Sequence, residues 1–305
     1  MRPVIGGIAN PRDLTEICFS KIKIVSTAIE TQTITIRDLD RSAELREVER
    51  LQKEVWGCAD LDVLPATMLA ASRAVGAILI GAFDGPTMVG FVYGFPAQED
   101  GTLGHHSHML AVKSAYRNLG VGYKLKLAQR EAVLQQAIDR ITWTFDPLQS
   151  LNAYFNFAKL GVVAHTYKTN FYGEATSSFL HQVGTDRLWV TWALNSQRVG
   201  ARLESCTRRT ALAAAGALAV IQVGSQNSPQ RNPPPKVLAE KHLIIEIPSD
   251  INDLQRRCPT VAIEWREATR WAFTEAMNRG YFVEEFYRTT VGDQSIGKYL
   301  LTHGG

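Results

Sequence analysis

A basic residue and two closely spaced glycines stand where the sequence predicts the start of a helix. Arg117, Gly120 and Gly122 lie in the segment RNLGVG, and an amphipathic pattern follows them. The first turn of a helix has backbone N–H groups without intrahelical acceptors, and the helix dipole adds partial positive charge there. Side chains at the two glycine positions would keep a phosphate away from those amides. The spacing therefore predicts a phosphate-type anion site, to which Arg117 and Lys124 add charge.

A glycine-rich helix start without a ligand is the alternative interpretation of this loop. The segment lacks the Lys-Ser/Thr pair of a Walker motif, and its spacing is not that of the dinucleotide-binding GxGxxG motif. The choice between the two interpretations depends on the elements around the loop.

Hydrophobic periodicity predicts alternating strands and helices around this loop. An Asp84-Gly85 pair indicates a hairpin turn, Pro65 a helix start and Gly161 a helix end. The predicted strands are residues 33–38, 77–83, 88–95, 106–112, 140–145, 162–171 and 187–194, and the predicted helices are residues 42–56, 65–73, 119–137 and 151–161. The loop thus joins a strand to a helix.

Composition divides the chain into four parts. Residues 1–32 are interpreted as an N-terminal extension, either disordered or an over-long start, and residues 33–195 as the main α+β domain. Residues 196–236 include the proline-rich stretch SQNSPQRNPPPK and are predicted to be an irregular linker. Residues 237–305 combine strands with an amphipathic helix near 259–278, which predicts a small α+β appendage.

Composition and charge argue against several classes of function. The 305 residues carry a net charge of +3, which is too small to indicate a nucleic-acid partner. The apolar stretch 208–224 is shorter than the ~20 residues of a membrane span, so no membrane partner is expected. The cysteines are widely spaced without a CxxC pair, which predicts reduced thiols in a cytoplasmic protein and argues against a zinc site. They are Cys18, Cys58, Cys206 and Cys258.

The pattern Arg117-x-x-Gly120-x-Gly122 after MLAV resembles the pyrophosphate loop of the GNAT N-acetyltransferase superfamily, whose pattern is Gln/Arg-x-x-Gly-x-Gly/Ala. The predicted element order of residues 33–195 agrees with that family, and NAYFNFAKLGV resembles the family's segment ending in YEKLGF. The segments SHMLAV, LKLAQRE, TWTFDPL and TDR suggest a narrower, poorly characterised subgroup with a C-terminal extension. The fold that the resemblance implies is a mixed, mostly antiparallel central sheet flanked by helices, plus the small C-terminal α+β domain.

By this resemblance the co-substrate is acetyl-CoA or another acyl-CoA. The backbone near Val121 and Gly122 would bind the pyrophosphate, and the backbone of Leu110 and Val112 would hydrogen-bond the pantetheine as an added strand would. Asn152 would either bind the pantetheine or cap its own helix. The expected cofactor-binding residues are Leu110, Ala111, Val112, Arg117, Asn118, Leu119, Gly120, Val121, Gly122, Tyr123, Lys124 and Asn152.

The expected reaction is direct transfer, in which a neutral amine attacks the thioester. The family's usual acid is a tyrosine at the position that Phe157 occupies here, and phenylalanine has no proton to give. Tyr154, one helical turn earlier, is the substitute, unless it only packs. The thiolate can also leave without a side-chain acid, because thiols are already fairly acidic.

His106, His108 and Asp146 are the candidate bases. His106 and His108 are two apart on a strand and are expected to share a face. Histidine titrates near neutral pH, although a strand histidine is more often a packed residue. A metal site with His105 is disfavoured because no carboxylate completes the set. Asp146 is either a turn residue or a cleft base with a raised pKa.

Four residues are assigned to acceptor binding. Arg266 and Arg270 share a helical side and could hold a carboxylate, although a solvated mixed-charge face is the simpler interpretation. Arg187 follows Asp186, with which it forms either an ion pair near the cleft floor or a turn. His106 is the fourth.

The resemblance implies an N-acyltransferase that acts on the amine of a small molecule, for example an amino acid. The appendage is expected to complete or cover the acceptor pocket, which argues against a protein acceptor. A non-catalytic acyl-CoA-binding or regulatory module is the alternative, and Phe157 is its main support. The sequence leaves a homodimer open.

Overall fold

The computed structural model describes most of the chain after the predicted N-terminal extension, which lies outside the described residues. The described ranges are residues 33–173, 183–204, 216–232, 240–292 and 294–304. From residue 34 onward these ranges belong to one compact unit.

The described residues form twelve strands in one sheet: β1 (Ile34–Asp38), β2 (Ile78–Asp84), β3 (Thr87–Glu99), β4 (Thr102–Val112), β5 (Arg140–Phe145), β6 (Val163–Lys168), β7 (Arg187–Ala193), β8 (Leu218–Val223), β9 (Pro229–Arg231), β10 (His242–Pro248), β11 (Tyr281–Val291) and β12 (Gln294–His303). Their order is β1-β2-β3-β4-β5-β7-β6-β11-β12-β10-β8-β9. Only β4–β5 and β8–β10 pair in parallel among them. The predicted mixed, mostly antiparallel sheet is confirmed.

Helices flank the sheet, and several boundaries follow from local sequence. They are α1 (Ser42–Trp56), α2 (Ala66–Ala74), α3 (Val121–Gln135), α4 (Ser150–Ala153), α5 (Gln197–Glu204), α6 (Ile251–Arg257) and α7 (Pro259–Met277). A π-helix, Tyr154–Leu160, continues α4 and ends at Gly161, whose φ of 76° is left-handed. Glycine suits that conformation because it has no Cβ. Among the described helices, none combines the length and the apolarity that a bilayer crossing requires.

The two faces of the sheet carry separate hydrophobic clusters. Along β2, Leu79 and Phe83 pack with α1 and α2, whereas the alternate residues Ile78 and Ile80 pack in the cluster that includes α3. This alternation follows from the two-residue period of a strand. The α3-side cluster continues through the π-helix into α7, where Trp265 is fully buried.

The C-terminal part differs from the predicted linker and appendage. Within residues 196–236, which we predicted to be irregular, the described residues form α5, β8 and β9. Strand β8 pairs in parallel with β10, and its Val220 and Ile221 are buried in the sheet. Strand β9 is the last strand of the order, an edge at which Pro229 needs no amide partner. Composition alone marked this segment as a linker, because the pairing that buries it comes from residues further along the chain. The appendage continues the main sheet through the contact of β6 with β11.

Candidate active site

The loop between β4 and α3 has the conformation that an anion site requires. After Val112 comes a 3₁₀ turn, Ser114–Tyr116, whose Tyr116 hydroxyl donates to Asp84 Oδ2 at 2.7 Å. Asn118 and Gly120 are then left-handed, with φ of 65° and 76°, and Gly120 is the residue from which α3 starts. Gly120, at the N-cap position, has no side chain that could cap this helix start. The first amides of α3 therefore have no acceptor within the helix.

Two glycines leave open space in front of these amides. A Cβ at Gly120 would meet no atom within 4 Å, and one at Gly122 would make only ordinary contacts with Leu110 and Val112 at 3.8 and 3.9 Å. The left-handed φ explains Gly120, but neither backbone conformation nor packing explains Gly122. The space is consistent with a ligand that approaches the backbone closely, as a diphosphate does.

The other predicted cofactor-binding residues surround this helix start. Arg117 is exposed, and its Nε donates to the Val112 carbonyl at 3.4 Å. Leu119 is exposed and Val121 is buried, so Val121 offers only its backbone to a ligand. Tyr123 is half-buried and packs against the core, and Lys124 donates its amide to the Gly120 carbonyl.

Strands β4 and β5 separate to form a V-shaped gap. They pair only at His105 with Ile141 and at His106 with Thr142. In the pairing of β4 with β3, Met109 lies opposite Tyr93 and Ser107 opposite Gly94, so His108 is the extra residue of a β-bulge. A bulge bends its strand. Beyond the apex of the gap, the edge of β4 that carries Leu110, Ala111 and Val112 has no partner in β5.

A cavity of about 610 Å³, called the main cavity below, occupies this gap. Side chains from the α1–α2 connection, β4, α3, β5, the α4 region and the β6–β7 connection line it. The lining residues are Trp56, Cys58, Asp62, Ser107, His108, Met109, Leu110, Lys126, Trp143, Thr144, Phe145, Asp146, Gln149, Asn152, Phe155, Asn156, Tyr172 and Arg187. Asn152 is the third residue of α4, so its side chain does not cap the helix as the alternative interpretation required.

Lys126 places a buried ammonium group in the wall of the main cavity, which is unusual for a lysine. Its side chain is buried, and Nζ donates to Ser107 Oγ at 2.7 Å and to Gln129 Oε1 at 3.2 Å. The ammonium nitrogen also lies 3.8 Å from the centre of the Trp143 ring. Burial lowers the pKa of Lys126 to about 7.

The three neighbouring histidines have separate surroundings. Burial, with a smaller effect of Lys126, lowers the pKa of His105 to about 3. Burial, followed by His108, lowers the pKa of His106 to about 4, and burial also lowers the pKa of His108. His108, one of the candidate bases, lines the main cavity. Within the described residues, no group of three His, Cys, Asp or Glu side chains is arranged to hold a metal ion.

His106 lines a second cavity of about 330 Å³, called the side cavity below. The residues that line it include the aromatic Phe95, Phe171 and Trp189 and the cationic Arg140 and Lys168. The rings of His106 and His108 are 6.4 Å apart, which brings the two cavities close to each other. Among the described residues, three nitrogens of this lining are buried without a hydrogen-bond partner, namely His105 Nδ1, Arg140 Nε and Trp189 Nε1. His106 and His108 were predicted to share a face of the strand, but they line two different cavities.

Tyr154, the predicted acid, is not among the residues that line the main cavity. The structure has a π-helix after Ala153, and Phe155 and Asn156 are the residues that line the cavity from it. Tyr154 is half-buried against the core, and Phe157 is fully buried beside Phe145 and Tyr299. A regular 3.6-residue helix was assumed, and the wider π turns change which side chains share a face. Tyr172 instead brings a phenol, whose oxygen lies 3.4 Å from Thr144 Oγ1.

Ion pairs occupy three residues that were predicted to act on substrate. Asp146 accepts from Arg266 Nη2 at 2.7 Å and from the Leu148 amide at 2.9 Å, so each carboxylate oxygen has a partner within the protein. Burial opposes the charged form of Arg266, but Asp146 outweighs that effect and raises the pKa of Arg266 above its ordinary value. Arg266 is only 3% exposed, which excludes the solvated face.

Arg270 likewise binds protein rather than facing the main cavity. Its Nε and Nη2 donate to the two oxygens of Asp186 at 2.8 and 2.9 Å. Burial favours a higher pKa for Asp186, but Arg270, the Asn170 amide and Tyr167 together lower it. Arg187 does line the main cavity, and its Nη1 donates to the Asp186 carbonyl oxygen, not to the carboxylate.

The C-terminal part supports one wall of the main cavity from behind. Besides Arg266, Tyr299 donates to the Pro147 carbonyl at 2.6 Å, and Asn252 exchanges two amide hydrogen bonds with Gln149 at 3.0 Å. Among the described residues that line the main cavity, none follows Arg187. The appendage was expected to complete or cover the acceptor pocket; instead it contacts the segment from Asp146 to Gln149.

Sequence reasoning missed Ser107, Lys126 and Tyr172. Lys126 lies on the apolar side of α3, together with the buried Leu125 and Val133. A lysine inside the buried face of an amphipathic helix was a signal that could have been read. Ser107 and Tyr172 gave none, because a serine in a strand and a tyrosine in a loop are common in any fold.

Comparison with known proteins shows a similarity to one protein family over part of the chain. Residues 43–161 match the model of the acetyltransferase (GNAT) family. A search of the curated proteins gave no match. Similar solved structures include the ribosomal-protein-S18-alanine N-acetyltransferase from Escherichia coli, at 13% identity and a TM-score of 0.43 over 54% of this chain and 96% of that chain. Aminoglycoside 6'-acetyltransferase type Ii has 21% identity and a TM-score of 0.42 over 53% of this chain and 99% of that chain. Residues 43–161 are thus similar to the acetyltransferase (GNAT) family, and this similarity covers less than half of the chain.

Proposed function

We propose that the protein is an acyl-CoA-dependent N-acyltransferase for a small-molecule amine. The observation that carries this proposal is the uncapped start of α3 beside the gap between β4 and β5, inside the family-matched residues. One feature would bind a diphosphate, and the other would bind an extended chain that ends in the main cavity.

The backbone of this chain would bind the donor in two ways. The amides of Val121, Gly122 and Tyr123 would donate to diphosphate oxygens, with Arg117 and Lys124 adding charge. The free edge of β4 at Leu110 and Val112 would hydrogen-bond the pantetheine arm as an added strand does. When bound, the donor supplies a thioester in the main cavity.

Residues in the main cavity would then move protons. The amine nitrogen attacks the thioester carbonyl, the C–N bond forms and the C–S bond breaks. His108 would accept the amine proton, because burial lowers its pKa and keeps the imidazole neutral at physiological pH. Tyr172 is positioned to take the acid role first assigned to Tyr154, since its phenol lines the same cavity.

The acceptor amine would enter from the side cavity. Arg140 and Lys168 there could bind a carboxylate, and Phe95, Phe171 and Trp189 offer apolar walls. The unpaired nitrogens of Arg140 and Trp189 support a polar ligand, because buried donors without partners are costly. These residues replace Arg266 and Arg270 as the acceptor site, because Arg266 and Arg270 are held by carboxylates at 2.7 and 2.8 Å, whereas the contact of Arg140 with Glu99 of the same lining is 3.9 Å long. An α-amino acid with an apolar side chain matches both the cations and the rings.

The proposal is tested by measuring CoA binding and thiol release together. We expect calorimetry to detect CoA binding, and a panel of amino acids with acetyl-CoA and longer acyl-CoA donors to release free thiol. Gly122→Val should weaken CoA binding at least tenfold, because its side chain would separate the ligand from the amides. Gly200→Val is the matched control, since Gly200 lies in α5 with open space around it.

Each outcome distinguishes the rival functions. CoA binding without thiol release across donors and amines would favour the non-catalytic acyl-CoA-binding module. Equal CoA binding by wild type, G122V and G200V would overturn the diphosphate site itself.

A further inference from the structure

Lys126 is a buried cation whose contacts among the described residues are all with uncharged groups. Its side chain is 2% exposed, and its contacts are Ser107 Oγ, Gln129 Oε1 and the Trp143 ring. Among the described residues, no carboxylate lies within ion-pairing distance of Nζ. Nearly all buried lysines in folded proteins are paired, because an ammonium that loses its hydration needs a compensating charge.

The surrounding network holds the ammonium in place without neutralising it. Ser107 donates to Gln129 Oε1 at 2.8 Å, and the Gln129 amide nitrogen lies 3.3 Å from His105 Nε2. Burial, with a smaller effect of Lys126, lowers the pKa of both His105 and His106, so these histidines stay uncharged near neutral pH. The network therefore provides hydrogen-bond acceptors for a cation but no negative charge.

The position of Lys126 is the closed end of the gap between β4 and β5. Pairing between these strands stops at His106 and Thr142, and the next residues, Ser107 and Trp143, are the two that contact Lys126. All three line the main cavity. Under the proposed function, the pantetheine arm enters along Leu110 and Val112, so the acyl group beyond the sulfur points towards this closed end.

We propose that the acyl group of the donor ends in a carboxylate, and that Lys126 binds this carboxylate with help from Ser107. This inference rests on the proposed function, and it names the donor class as a dicarboxylic acyl-CoA. An anion at the closed end supplies the charge that the protein omits there. The transfer itself is unchanged, because the C–S bond breaks and the C–N bond forms at the other end of the acyl chain.

A catalytic role for Lys126 is the main competing explanation. A lysine near neutrality could exchange protons with the amine or the thiolate. Such a role would affect every donor to a similar extent, whereas carboxylate binding affects only donors that carry the carboxylate. Donors matched in length therefore separate the two explanations.

The experiment compares donor pairs in which a terminal methyl replaces the carboxylate. The pairs are malonyl-CoA with propionyl-CoA, succinyl-CoA with butyryl-CoA, and glutaryl-CoA with pentanoyl-CoA. For at least one pair, we expect wild-type kcat/KM to be at least about 50-fold higher with the carboxylate. In Lys126→Met this ratio should fall at least 30-fold, and Lys126→Gln should lie between the two proteins. Lys159→Met, which removes an exposed lysine, should keep the wild-type ratio.

Binding provides a readout that does not depend on turnover. Calorimetry of the same pairs should show tighter wild-type binding of the carboxylated member, and the difference should disappear in K126M. Binding of CoA without an acyl group checks that each variant is folded. A wild type that prefers neither member of any pair, in turnover or in binding, would overturn the inference. So would a K126M variant that loses both members by the same factor, since that result indicates catalysis. Absence of thiol release with every donor would count against the proposed function, while the binding comparison would still decide on Lys126.

Discussion

Lys126 and Arg266 are two buried cations beside the main cavity, and their surroundings differ in one respect. Arg266 on α7 is 3% exposed and pairs with the cavity-lining Asp146 at 2.7 Å. Lys126 on α3 is 2% exposed, and its contacts within the described part of the chain are with neutral groups. Removing one partner of a buried ion pair is strongly destabilising, and a buried charge without a partner destabilises the free protein. From this difference we expect the α7 side of the cavity to be a fixed wall and the α3 side to be a binding surface.

Removing the cation of the Asp146–Arg266 pair should have the largest effect on stability. In Arg266→Met the carboxylate of Asp146 would remain buried without its cation, which typically costs about 3–5 kcal/mol. Denaturant unfolding at pH 7 measures the loss. The matched control is Arg257→Met, which removes an exposed partner of Asp253 and should change stability little.

The double variant Asp146→Asn with Arg266→Met sharpens this test. An amide at position 146 can still accept from the Leu148 amide but carries no charge, so the double variant should recover part of the stability lost in R266M. Equal losses in R266M and R257M would contradict the assignment of the Asp146–Arg266 pair as the support of this wall.

Removing Lys126, the unpaired cation, should increase the stability of the fold, and the size of this increase should depend on pH. The pKa of Lys126 is about 7 in the folded protein, below the ~10.4 of an unfolded chain. Between these values the unfolded state binds more protons, so this residue makes wild-type stability rise as the pH increases from 7 to 10, while its full penalty applies below pH 7. Between pH 7 and pH 9 the rise should be on the order of 2 kcal/mol.

Lys126→Met should lose that rise and be more stable than wild type at pH 7. Denaturant unfolding at pH 7 and pH 9 gives the comparison, and the other titrating groups cancel because they are common to both proteins. His105 and His106 lie near Lys126 but are already neutral in this range. Lys159→Met should keep the wild-type rise, and an identical rise in K126M would show that Lys126 is not the group responsible.

The two cations also illustrate which features of the fold and the site could be predicted from the sequence. The strand, loop and helix around Gly120 were predictable because glycine spacing and hydrophobic periodicity are local properties. The roles of Asp146, Arg266 and Arg270 were not, since the partners are 120 residues apart in one pair and 84 in the other. The π-helix that begins at Tyr154 was not predictable either, because no residue pattern distinguished it from a regular helix.

The smallest effect should come from Tyr299, which supports the same wall through one neutral hydrogen bond. Its hydroxyl donates to the buried Pro147 carbonyl at 2.6 Å, and Tyr299→Phe should cost about 1 kcal/mol. Thermal unfolding should record a decrease of about 2–4 °C for a protein of this size. Tyr281→Phe is the matched control, because Tyr281 is also buried and donates to the backbone of Glu240, away from the cavity. Both variants should lose similar stability, but only Y299F should lower kcat/KM, since only Pro147 belongs to the segment that carries Asp146 and Gln149 into the cavity wall. Equal kinetic effects in the two variants would mean that the C-terminal strands stabilise the fold without positioning the site.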